Sequence, residues 1–116
     1  MVKRPVYQRG DIVLVGFDPA CGHEQKGVGR PALVLSTGAF NQLGTVLVAP
    51  ISQGGNYARY AGFTIPVSCT EGDVQGVVLL NQLRMMDLHA RQAKWLASAE
   101  RNVVEESLVR LQAIVE

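Results

Sequence analysis

Through most of the chain apolar residues come in short dense runs broken by turn-forming residues, a strand pattern rather than a helical one. The run "DIVLVGF" (residues 11–17) is β-branched and almost wholly apolar, which suits a strand covered on both faces, and Asp18-Pro19 stops it. A polar stretch (20–30) follows, then "PALVLS" (31–36) and "TVLVAPIS" (45–52) as second and third buried strands. Between these two, "TGAFNQLG" leaves room only for a helix of about one or two turns, ended by Gly44. The segment "QGGNYARYAG" (53–62) reads as an exposed loop. "FTIPV" (63–67) alternates into a strand whose Pro66 implies an edge. "EGD" turns the chain into "VQGVVLLNQLRMMD" (74–87), which divides into two strands near residues 81–83.

The C-terminal segment changes period. Val104, Leu108, Leu111 and Val115 fall at i, i+4, i+7 and i+11 and form one apolar helical stripe. Asn102-Val103-Val104-Glu105 matches a capping box, with Ser98 as an alternative cap, and Glu105 and Glu106 lie near the positive helix end. Five to seven short strands with one terminal helix predict a mainly β fold, a small curved barrel closed at one side by the helix.

The length of 116 residues suits one domain spanning 1–116. Its 47% apolar and 18% charged residues are a globular composition. A net charge of +1 gives no bulk attraction for nucleic acid, so any polyanion contact needs locally placed cations. Lys3-Arg4 is not followed by an apolar signal core, and no run approaches the roughly 18 apolar residues of a membrane helix. A cytoplasmic protein without membrane association is the expectation. Cys21 and Cys69 stand 48 positions apart, in no metal-binding spacing, and are expected reduced.

The stretch "GHEQKGVGRP" (22–31) concentrates an imidazole, a carboxylate and two cations in a glycine-studded segment. "HEQKG" begins like the zinc-protease motif, but Gly27 stands where the second histidine would be. "GVGRPA" fits a dinucleotide-binding string, yet it precedes a strand rather than a helix. No metal or cofactor is expected. What survives is chemistry that these three group types can perform together. Cutting RNA without a metal needs a base for the 2′-OH proton, a cation for the charge on phosphorus-bound oxygens, and an acid for the departing oxygen. Glu24 suits the base and Arg30 the cation, with paired planar donors. His23 can hold substrate or donate the proton. The spacing alone leaves open that all three are merely solvated.

The strings "RGDIVLVGFDPACGHEQKGVGRPALVLS", "VAPISQGGNYARYAGFTIPV", "GVVLLNQLRMMDLHAR" and "EESLVRLQAIV" together resemble toxins of the MazF/PemK family, nearest its ChpB-type branch. The resemblance implies an SH3-like β-barrel of the MazF/PemK/CcdB kind with added helices, and a homodimer. It also implies a metal-independent endoribonuclease toxin of a type II toxin-antitoxin system, cutting single-stranded RNA, chiefly mRNA, at specific sequences. The products would be a 2′,3′-cyclic phosphate and a 5′-hydroxyl, with growth inhibited as translation fails. A cognate antitoxin would cover the RNA groove with an acidic tail, and DNA would be met only through that antitoxin. Catalytic roles carry over to Glu24 and Arg30, and Ser52 matches the residue that hydrogen-bonds the scissile phosphate. PemK-type members place an arginine and an aspartate where this chain has Leu79 and Asn81, so any chemistry must lean on Glu24 and Arg30. A non-catalytic toxin of the same barrel, acting on a protein such as DNA gyrase, is the alternative; a plain SH3-like adaptor is the third.

Further RNA contacts are expected from His23, Gln25 and Lys26, and from Asn56, Tyr57 and Arg59, which offer an amide, a ring and a cation. Asn81 and Gln82 carry amides able to read base edges, or else to bond within the barrel. Arg84 would reach a phosphate or pair with Asp87. Trp95 reads as a core or dimer contact, and His89 as structural.

Overall fold

A computed structural model describes residues 6–17, 29–53 and 63–116. Seven strands are present among them: β1 (Asp11–Val15), β2 (Arg30–Val34), β3 (Val46–Ser52), β4 (Thr64–Cys69), β5 (Val74–Leu79), β6 (Arg84–Met86) and β7 (Lys94–Ser98). Two helices, α1 (Gly38–Asn41) and α2 (Arg101–Val115), and a 3-10 turn (Leu80–Gln82) complete the order. The strands form one curled antiparallel sheet in the order β4-β5-β3-β2-β1-β7, with β6 also paired to β3. Pro66 is exposed on β4, an edge strand, where its missing N–H costs no ladder bond.

The apolar runs are dense because the sheet is buried on both faces. On β1, Ile12 enters one cluster with Leu33, Ala49, Ile51 and Val78, while Val13 and Val15 enter another with Ala32, Val34, Val48 and Met86. Adjacent residues point to opposite faces, so two cores demand an unbroken apolar run. Each fully buried aliphatic side chain contributes about 1.5–3 kcal/mol.

Strand β3 is the hinge of this arrangement. One of its edges pairs with β2, whereas the other pairs first with β6 (Val48 with Arg84) and then with β5 (Ser52 with Val77). The 3-10 turn between β5 and β6 therefore runs beside the middle of β3. Glycine makes the β3–β5 junction possible: a Cβ on Gly76 would lie 2.4 Å from the Ser52 carbonyl oxygen. Short helix α1 is capped by Thr37, whose hydroxyl accepts from the Phe40 N–H, and Gly44 at φ +120° turns the chain out of it.

Three expectations need correction. Strand β7 was not expected; "KWLAS" lacks a clean alternation, and Trp95 is 49% exposed on this edge strand rather than in the core. Helix α2 begins at Arg101 with Glu100 as its N-cap and no side-chain cap bond, so the Asn102 capping box does not form, Ser98 belongs to β7, and the first turn holds no acidic residue. The buried line of α2 centres on Val103 and Ser107, flanked by partly buried Leu108 and Leu111, and Val115 is 73% exposed. The helix packs chiefly on β4 and the 3-10 turn, and this contact, rather than the helix's own apolar period, sets its rotation.

Candidate active site

Arg30 opens β2, directly opposite Val15 at the end of β1. The β2–β3 register pairs Val34 with Val48, Leu33 with Ala49 and Ala32 with Pro50. The paired positions end there, and Arg30 and Ser52 each lie two residues beyond the last pair on their own strand. Both also share a sheet face, because Arg30 follows the alternation of Ala32 and Val34, and Ser52 that of Val48. Arg30 is exposed and, among the described residues, no carboxylate pairs with it. Ser52 is half-buried, and its backbone carbonyl is held against Gly76.

Leu79 is buried at 2% exposure, so an apolar side chain closes the interior at this position. Asn81 and Gln82 lie in the 3-10 turn alongside β3, between the level of Ser52 and that of Arg84. Both are exposed, and among the described residues neither amide bonds within the barrel.

Arg84 does not make the expected pair with Asp87. Its Nη1 donates to the Phe17 carbonyl at 2.6 Å and its guanidinium lies 5.6 Å from the centre of the Phe17 ring. The Asp87 carboxylate instead accepts from the Ala90 N–H at 2.9 Å, fixing a turn. Arg84 thus spends one donor inside the fold and does not pair with Asp87. Arg91, which sequence reasoning passed over, does the same through Nη1 to the Gly16 carbonyl at 2.9 Å. Nothing in an isolated sequence marks an arginine that will serve a backbone carbonyl 75 positions away.

His89 stacks obliquely on Tyr7, with ring centres 5.2 Å apart, a packing role. Burial, then the charge of Asp11, holds the Tyr7 phenol above its ordinary value of 10.0. Its hydroxyl donates to the Ala93 carbonyl at 3.2 Å. His23, Glu24, Gln25, Lys26, Asn56, Tyr57 and Arg59 lie outside the described residues. By sequence, the first four belong to the connection between β1 and β2, whose last ladder pair is Val15 with Arg30. Among the described residues no three of His, Cys, Asp or Glu cluster as metal ligands, and no helix is long and apolar enough to cross a membrane.

The model of the PemK-like, MazF-like toxins of type II toxin-antitoxin systems matches residues 8–115. The chain belongs to this family. It is 72% identical over 116 residues, the whole of both chains, to the endoribonuclease toxin ChpB of Escherichia coli (strain K12). Among solved structures it is similar to MazF of Deinococcus radiodurans, with a TM-score of 0.78, 34% identity, and coverage of 97% of this chain and 98% of that one. A MazE-MazF structure from the same organism matches with a TM-score of 0.76 at 30% identity, covering 97% of each chain. The mainly β curled sheet with its C-terminal helix is thus a MazF-type fold, as the resemblance implied.

Proposed function

We propose that this protein is the toxin of a type II toxin-antitoxin pair and a metal-independent endoribonuclease acting on single-stranded RNA, chiefly mRNA. The full-length 72% identity to a protein named endoribonuclease toxin ChpB carries the reading. The shared face of Arg30 and Ser52 at one exposed end of the sheet supports it chemically.

In this reading Glu24 takes the proton of the 2′-OH, and the freed oxygen attacks phosphorus. The bond from phosphorus to the 5′ oxygen breaks, leaving a 2′,3′-cyclic phosphate and, once that oxygen is protonated, a 5′-hydroxyl. Arg30 stabilises the charge that gathers on the non-bridging oxygens, and it acts as a cation rather than an acid because its pKa lies above about 12. Ser52 donates a hydrogen bond to the same phosphate. His23 holds substrate or supplies the leaving-group proton. Gln25, Lys26, Asn56, Tyr57 and Arg59, with Asn81 and Gln82, contact flanking nucleotides and set sequence preference. Phosphate contacts make binding weaken as salt rises even though the chain is nearly neutral.

The antitoxin of such a pair covers this end of the sheet, and a homodimer accounts for exposed apolar side chains such as Trp95 and Val109. The test is a purified, antitoxin-free sample with long single-stranded RNA in EDTA, its cut ends mapped by primer extension and their chemistry assayed. Wild type is expected to cut at a recurring short sequence, with Glu24→Gln and Arg30→Ala each abolishing cutting while remaining folded. Intact RNA with a folded wild type, or unimpaired growth inhibition by both variants, overturns the reading.

A further inference from the structure

Helix α2 lies along β4. It starts beside Cys69, whose thiol donates to the Ser98 carbonyl at 3.7 Å, and reaches the 3-10 turn that follows Leu79, the partner of Thr64 at the other end of the strand. Fifteen residues of helix span about 22 Å and six of strand about 20 Å, so the two lengths agree.

Apolar contact holds the helix there. Val103, Leu108 and Leu111 meet the cluster that contains Ile65, Val67 and Leu80. Among the described residues no hydrogen bond or ion pair joins an α2 side chain to the sheet: Gln112 reaches Glu116 and Arg110 reaches Glu106, both within the helix. Docking also buries two polar atoms that have no partner among the described residues, Ser107 Oγ and Arg110 Nε, and each opposes docking through its lost hydration.

Nor does the helix sustain itself. Glu100 makes no side-chain cap bond, the first turn holds no acid and the last no base, and Arg101 and Glu116 each stand at the helix end of like partial charge. Away from the sheet a helix of this length holds little structure in water. The 3-10 turn is equally dependent. It has three residues, no side-chain cap and one anchor, Leu80, which is 1% exposed in the cluster that α2 covers.

We propose that α2 and the 3-10 turn form one cooperative unit that opens while the rest of the sheet stays folded, and that only its closed state presents the Asn81 and Gln82 amides. Departure of α2 uncovers Leu80, and the turn loses its anchor. Strands β1, β2 and β3 stay closed because they are also held by the second cluster, to which no α2 residue belongs. The coupling of helix to turn stands by itself; the role of the amides rests on the endoribonuclease reading above.

Residue-level hydrogen exchange on the full-length protein, followed by NMR without RNA, tests the unit. The helical amides of α2 and those of Gln82 and Leu83, which close the 3-10 turn, should exchange at least about 100-fold faster than the central amides of β1, β2 and β3. Ser107→Ala removes the orphaned hydroxyl and should slow both fast sets alike, by about fivefold. Asn41→Ala breaks bonds to the Tyr7 and Ser36 carbonyls, on the side of the second cluster. It should speed the strand amides by more than about 30-fold and leave α2 and the turn unmoved. Helix amides as slow as those of the strands, or accelerated equally by Asn41→Ala, overturn the unit, and turn amides indifferent to Ser107→Ala overturn the coupling. Leu111→Asp puts a charge into the docked face and should open α2 while β1, β2 and β3 stay protected. On RNA it should raise KM at least about tenfold and add cuts at sequences that wild type spares, whereas a merely smaller folded fraction would lower kcat alone. An unchanged KM and cut pattern with α2 open overturns the role given to the amides. Should Leu111→Asp not fold, the exchange arm with Ser107→Ala and Asn41→Ala decides. If wild type cuts no RNA, the endoribonuclease reading falls, and the same exchange arm decides whether helix and turn open together.

Discussion

Replacing Gly76 by alanine tests how the sheet delivers Ser52. The new methyl would lie 2.4 Å from the Ser52 carbonyl oxygen, 2.9 Å from its carbonyl carbon and 3.3 Å from the Ile51 Cγ2. The oxygen belongs to a backbone held by the Ser52–Val77 and Ile51–Val78 pairs, so it cannot rotate aside as a side chain would. Restoring ordinary contact requires β5 to move off the end of β3 by the better part of an ångström. Overpacking of this kind costs about 1–3 kcal/mol, and a strained ladder bond adds about 1 kcal/mol. Alanine recovers about 0.4–1 kcal/mol by restricting the unfolded chain. The net expectation is a loss of about 2–3 kcal/mol, read as a lower urea midpoint at unchanged slope. The displacement falls on Ser52, so kcat should also drop at temperatures where the variant is fully folded. Gly72→Ala is the control: its Cβ would crowd the Leu96 carbonyl oxygen at 2.7 Å, at the β4–β5 turn and away from Arg30 and Ser52. It should cost stability and spare kcat. A Gly76→Ala protein within about 0.5 kcal/mol of wild type would refute the reasoning, as surface changes without a mechanism fall in that range.

Other substitutions probe the polar groups of the interior. Ser107 is fully buried and among the described residues its hydroxyl has no hydrogen-bond partner, so Ser107→Ala should raise stability by about 1 kcal/mol through lost desolvation cost and better helix propensity, seen as a higher Tm. Asn41, 7% exposed, donates to the Tyr7 carbonyl at 2.7 Å and the Ser36 carbonyl at 3.2 Å and accepts from the Ser36 hydroxyl. Asn41→Ala orphans these groups and should cost about 2–4 kcal/mol by urea titration. The Tyr7 phenol is held protonated in the fold by burial and by Asp11, so the unfolded chain ionises first, near pH 10.0. Stability should be intact below that pH and fall as pH rises toward the higher folded value, and Tyr7→Phe should flatten this alkaline decline.

The strands could be read from the sequence because burial on two faces leaves its mark on every residue of the run. "DIVLVGF" could hardly be anything else once Val13 and Ile12 must enter different cores. Strand β7 was hidden for the converse reason. It lies on an edge, buries only Ala97 fully, and exposes Trp95, so one-sided demand leaves no pattern. The rotation of α2 was hidden differently: its contacts with β4 and the 3-10 turn place Ser107 inward, a choice that no amphipathic count would favour.

The candidate site divides along the same physical line. Chemical identity is local, so Glu24, Arg30 and Ser52 can be nominated from the string that holds them. Convergence is not local. Arg30 and Ser52 share a sheet face only through a register set by apolar pairs such as Leu33 with Ala49, and a slip of one residue between the strands would turn one away from the other. Arg84 makes the same point in reverse. Its charge marked it for a phosphate, but the fold gives one of its donors to the Phe17 carbonyl, and only the geometry beyond Val15 reveals that use. An arginine near a nuclease site therefore has to be assigned by where its donors end. By that measure Arg30 is exposed and without a carboxylate among the described residues, whereas Arg84 and Arg91 each give a donor to a backbone carbonyl of the chain just beyond β1.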